Sequence, residues 1–97
     1  HGPVALVHID AHADINDTMF GETVAHGCPF RRAWEDGCLQ NDRVFQIGLR
    51  GTGYAPEDFD WARGQGWTVV QAEECWHKSL TGLMRIVRDR IGTAPVY

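Results

Sequence analysis

The run His8-Ile9-Asp10-Ala11-His12-Ala13-Asp14-Ile15-Asn16-Asp17 carries the densest chemistry in the sequence. Asp10 and His12 stand two apart, so on extended backbone their side chains point the same way. Asp14 can join them once the chain turns. Two carboxylates and an imidazole this close together form a hard-to-borderline donor set, which suits Mn²⁺, Fe²⁺ or Zn²⁺ better than a soft metal. The same letters also suit an ordinary turn, because Asp and Asn favour loops and helix starts. His8 shares the parity of Asp10 and His12, and alternation alone makes it a fourth ligand. It lies inside an apolar run, however, which favours a hydrogen-bonded core histidine or one that braces a ligand.

Other residues hold less specific chemistry. His26 follows a polar loop and precedes a helix start, so its imidazole could move a proton at an open site or simply sit in solvent. In the loop 16–23, NDTMFGET, Asn16 could hydrogen-bond a carboxylate tail, while Met19 and Phe20 could pack along an aliphatic chain. The alternative is that these residues anchor the loop on the protein. Asp17 and Glu22 are near, but neither is obviously placed to hold a terminal ammonium. Arg31 and Arg32 read as a solvated helix face. Gly51-Thr52-Gly53 is a weak phosphate signal without the fuller glycine pattern. Glu73 and Glu74 read as surface charges, and Trp76 and His77 as structural.

The elements that must position these groups alternate in type. Pro3 to Ile9 is an almost continuous apolar run, as expected of a strand covered on both faces. Pro29 to Asp36 reads as a short helix with Pro at its first position, an apolar face of Phe30, Ala33 and Trp34, and Gly37 as its stop. Arg43 to Leu49 is a second strand. Pro56 opens a helix ending near Gly64 or Gly66, and Trp67 to Gln71 is a third strand. Ser79 caps a longer helix reaching Ile91, with Leu80, Leu83, Met84, Val87 and Ile91 as its apolar stripe and Gly92 as its terminator. Pro95 to Tyr97 would begin a fourth strand. Strand and helix in regular alternation imply an α/β fold with a parallel sheet. In such sheets, ligand sites collect at the carboxyl ends of strands, where Asp10 falls.

Composition narrows the class. The 97 residues allow one domain, and 43% hydrophobic with 23% charged is a globular mixture. Nine basic against thirteen acidic residues give a net charge of −4. With no basic run, nothing suggests a nucleic-acid partner or a membrane surface, and no stretch is long enough to span a bilayer. Cys28, Cys38 and Cys75 are sparse and lack CxxC spacing, which fits reduced thiols in a cytoplasm-like compartment; a mitochondrial one is open for a eukaryotic source. The chain opens on His1 and closes where a strand begins, so the expectation is an internal fragment, 1–97, of a single catalytic domain.

Asp10 to Asp14, DAHAD, resembles the DAHxD signature of the ureohydrolases, the arginase and agmatinase family. The likeness extends through Asn16-Asp17, Gly21-Glu22 and the stretch His26-Gly27-Cys28-Pro29-Phe30-Arg31-Arg32-Ala33. It continues through Gln46 to Gly51 and Ala72 to Leu80, and is strongest to the agmatinase and guanidinobutyrase branch. The resemblance implies a three-layer α/β/α sandwich, usually a trimer or hexamer, with two Mn²⁺ ions bridged by hydroxide. It implies that Asp10 bridges both ions, that His12 binds one and Asp14 the other, and that His26 shuttles protons near the substrate. The family takes further ligands from a GGDH-type motif upstream and an SFDxDxxDP-type motif downstream, neither of which is in this chain; His1 is at the wrong end of its strand to substitute. The implied reaction is hydrolysis of a linear guanidino compound, 4-guanidinobutanoate or agmatine, to urea and an amine. Two readings compete. A zinc deacetylase of the same architecture would carry a DxHHGDG-like run, whereas Ala13 stands here in place of the second His. A metal-less assembly subunit would show eroded ligands, whereas the three present are intact.

Overall fold

The computed structural model describes residues 2–15, 28–50, 58–76 and 78–97. Strands β1 (Val4–Ile9), β2 (Leu39–Leu49) and β3 (Thr68–Gln71) form a parallel sheet in the order β1-β2-β3. Helices α1 (Pro29–Glu35), α2 (Asp58–Gly64) and α3 (Thr81–Ile91) alternate with them, and a short 3-10 turn, Ala72–Glu74, follows β3. Val96 makes a parallel bridge to Ala5, so chain pairs with both sides of β1.

The sheet is covered on both faces. On one side Leu6, Val44 and Val69 pack with Ala62, Trp67 and Ile15 beneath α1 and α2. On the other, Ala5, Phe45 and Ile47 pack against Val87 and Ile91 of α3. Alternate strand residues therefore serve opposite cores, which is why the strands read as continuous apolar runs. Phe45, Leu6 and Leu49 are fully buried, each worth roughly 1.5–3 kcal/mol of transfer free energy. A ring ladder ties the first core together: Trp34 meets Trp61 edge-on at 5.0 Å, and Trp61 meets Trp67 at 5.4 Å. Trp67 donates its indole N–H to Asn41 Oδ1 at 2.9 Å.

The three-layer α/β reading agrees with this arrangement, with four local differences. First, β2 begins at Leu39, earlier than its apolar run suggests, because Val4 pairs with Leu39 across an irregularity in register. Second, α3 begins at Thr81; its stripe is buried at Val87 and Ile91, while Leu80 and Met84 are 41% and 38% exposed. Ser79 accepts from the Thr81 backbone N–H at 3.2 Å without being the residue that caps the helix. Third, Arg31 and Arg32 are half-buried rather than solvated. The Arg31 guanidinium lies 4.3 Å from the Trp61 ring centroid, and Arg32 pairs with Glu35 at 3.2 Å. Glu74 also does more than sit at the surface, since its carboxylate accepts the Gln71 backbone N–H at 2.7 Å.

Gly48 interrupts β2 with a φ of +91°, and the register shifts between Ile47 and Leu49. The shift turns Leu49 into the α1/α2 core although alternation alone would send it to α3. All three cysteines are free thiols. Among the described residues, no helix is long and apolar enough to cross a membrane.

Candidate metal centre

β1 ends at Ile9, and the chain bends through Asp10, Ala11 and His12. Asp10 makes the bend by accepting the His12 backbone N–H on Oδ1 at 3.1 Å, an Asp binding its own backbone two residues on. The following segment is tied down at several points. The Asp10 N–H donates to Ile47 O at 3.1 Å, Arg50 N–H to Ala11 O at 2.9 Å, and Phe30 N–H to Asp14 O at 3.2 Å. The Gln46 side-chain amide donates to Ala13 O at 2.7 Å. Asp14 takes up a left-handed backbone, φ 55°, which Asp tolerates better than most side chains.

These ties bring His8, Asp10 and Asp14 together. One ligand-capable atom from each lies within 4.8 Å of the others. His8 Nε2 stands 3.4 Å from Asp10 Oδ2 and 3.8 Å from Asp14 Oδ2. The partly buried His8 ring packs against Phe30, with centroids 4.4 Å apart. The His12 backbone N–H holds the Asp10 carboxyl below the ordinary carboxylate range; burial opposes this, and the Ala11 N–H and His8 lower it further. An ionised Asp10 beside a second carboxylate and an imidazole is a donor set that fits a divalent cation of the Mn²⁺ type.

Among the sequence candidates, Asp10 and Asp14 lie together. His12 stands beside the cluster rather than in it: its side chain is 65% exposed, with Nδ1 3.8 Å from Asp10 Oδ1. Alternation fails there because the strand stops at Ile9, and the turn made by Asp10 rotates the following residues. His8, on the strand itself, holds the place that parity assigned to His12. His26, Asn16, Met19 and Phe20 lie outside the described residues, as do Gly51 to Gly53 and His77. Sequence reasoning passed over Gln46. Its signal was one amide in the otherwise apolar core of β2, and it is fully buried.

An arginase-family profile matches residues 1–97, the whole chain. The chain belongs to the Arginase family. It is 65% identical over 97 residues to a guanidinobutyrase of Pseudomonas aeruginosa, covering all of this chain and 30% of that protein. It is 54% identical over the same span to a mitochondrial agmatinase of Gallus gallus, covering 28% of it. The fold superposes on proclavaminate amidino hydrolase from Streptomyces clavuligerus with a TM-score of 0.89 at 39% identity, covering all of this chain and 32% of that one. The chain thus spans about a third or less of the length of these relatives.

Proposed function

We propose that the protein carrying this chain is a dimanganese amidinohydrolase that cleaves a linear guanidino compound to urea and an amine, with 4-guanidinobutanoate preferred to agmatine. The observation that carries this reading is the 65% identity to a guanidinobutyrase along the whole chain. The convergence of Asp10 and Asp14 at the end of β1 supports its metal chemistry. In this reading the chain is one internal piece, 1–97, of a single catalytic domain, and the whole protein is a cytoplasmic homo-oligomer, trimeric or hexameric.

A guanidinium is a delocalised cation that water attacks very slowly. A pair of manganese ions bound there would lower the pKa of water and so supply hydroxide near neutral pH for attack on the substrate carbon. Asp10, with two carboxylate oxygens, would hold both ions, Asp14 would hold one, and the exposed His12 the other. His26 gives a proton to the leaving amine nitrogen. Asn16 accepts or donates at the substrate's polar tail, and Met19 and Phe20 line its aliphatic stem.

Urea release by the full-length, Mn²⁺-loaded protein tests this directly. Its kcat/KM is compared on 4-guanidinobutanoate, agmatine, 3-guanidinopropanoate and arginine. The highest value is expected on 4-guanidinobutanoate. Urea from none of the four overturns the activity, and a clear preference for agmatine overturns the substrate.

A further inference from the structure

His8 and Gln46 face each other across β1 and β2 as register partners, on the side covered by α1 and α2. Gln46 is fully buried, and its amide nitrogen lies 2.7 Å from Ala13 O. A carbonyl oxygen only accepts, so the reversed amide would press two oxygens together at that distance. The amide orientation is thereby settled. The same nitrogen stands 3.3 Å from His8 Nδ1, so its second hydrogen faces that ring atom. Nδ1 must then accept, and the ring hydrogen must be on Nε2.

Nε2 is the atom turned toward Asp10 and Asp14, at 3.4 and 3.8 Å. A ligating Nε2 would need its hydrogen moved to Nδ1, where it would confront the Gln46 N–H. Gln46 holds its orientation although its Oε1 is buried without a hydrogen-bond partner among the described residues. Leaving a buried acceptor unmade costs about 1–3 kcal/mol, so the two bonds made at the other end of the amide decide its position. Phe30 packs against the ring and restrains it from turning away.

We propose that His8 and Gln46 act as a positioning couple: Gln46 fixes the hydrogen on His8 Nε2, and that N–H orients the Asp10 carboxylate beside Asp14 for metal, without His8 being a ligand. The inference rests on the metal reading of Asp10 and Asp14 above. It accounts for a histidine standing among the carboxylates while His12 remains outside, available to bind.

The test uses the full-length protein and its His8→Phe, His8→Asn and Gln46→Met variants. In the metal-free wild type labelled with ¹⁵N-histidine, long-range ¹H–¹⁵N correlation should show His8 with its hydrogen on Nε2, and Gln46→Met should abolish that preference. Mn²⁺ titration followed by electron paramagnetic resonance should show His8→Phe still binding two ions per chain, with affinity lowered roughly ten- to hundredfold. His8→Asn, whose amide can donate, should recover part of that loss. A hydrogen on Nδ1 in the wild type overturns the couple, even if His8→Phe fails to fold. So does a drop to one ion per chain in His8→Phe, which would make His8 a ligand, or an unchanged affinity with only lowered stability. Absence of Mn²⁺ binding by the wild type removes the metal reading itself, whereas the wrong tautomer with normal Mn²⁺ binding removes this inference alone.

Discussion

Replacing Gly48 by alanine perturbs the sheet where β2 passes the candidate metal centre. Its φ of +91° is one that side chains rarely adopt, and an added Cβ would stand 3.4 Å from the Asp10 carbonyl oxygen. That distance is ordinary contact, so the cost comes from backbone conformation, about 1–3 kcal/mol for a residue held in such a region. Gly82, exposed in α3 where an added Cβ would meet nothing within 4 Å, is the matched control. There the same change removes backbone entropy from the unfolded chain and should stabilise by about 0.5–1 kcal/mol. Denaturant unfolding of the two full-length variants should separate them by roughly 1.5–4 kcal/mol, the sum of the two estimates. The m-values should be unchanged, since neither substitution alters the surface exposed. Because relief of strain at residue 48 can push on the Asp10 carbonyl, Gly48→Ala should also weaken Mn²⁺ binding, and Gly82→Ala should not. Equal stabilities for the two variants would refute the assignment of strain to Gly48.

Two further outcomes follow from the site. Asp10→Asn in the full-length protein should reduce bound manganese below two per chain and lower urea release at least about a hundredfold, a scale typical of losing one electrostatic contact to the reacting centre; metal analysis and turnover together check it, and normal values for both would reject Asp10 as the bridging ligand. In the metal-free protein, a carboxyl ¹³C titration should place Asp10 on the acid side of the usual value of about 3.9, because the His12 and Ala11 N–H groups favour its charged form. Its folded pKa is depressed, so its contribution to stability is present above the unfolded value and fades as pH falls through the folded one; a midpoint at or above the usual value contradicts the hydrogen bonds assigned to it.

Much of the fold was legible because burial on both sheet faces writes itself as apolar runs, and because glycine and proline punctuate α1 and the end of α3. The early start of β2 was not, since Gln40, Asn41 and Asp42 give no apolar signal; they lie in the irregularity between the Val4–Leu39 and Leu6–Val44 pairs. The α3 stripe was legible as a pattern but not in depth: Val87 and Ile91 are buried and Leu83 packs beside them, while Leu80 and Met84 stay exposed. At the site, the aspartates were found from their spacing and the resemblance. The place of His8 beside the two aspartates, with His12 turned outward, was not, because two-residue alternation holds only while the backbone stays extended. Gln46 escaped because an amide in a strand is ordinary on the surface, and only tertiary placement makes it a fully enclosed donor.

The left-handed turn at Asp14 has a consequence for anyone borrowing this site. Copying the letters DAHAD onto the end of another strand would not reproduce it, since the second carboxylate is aimed by a backbone twist that the neighbouring ties hold in place. Among side chains that could replace it, Asn shares the tolerance for that twist but offers no charge, and Glu offers the charge without the tolerance. A graft must therefore carry the anchoring partners from β2 and α1, and a library that varies only the visible aspartates and histidines would search the wrong positions.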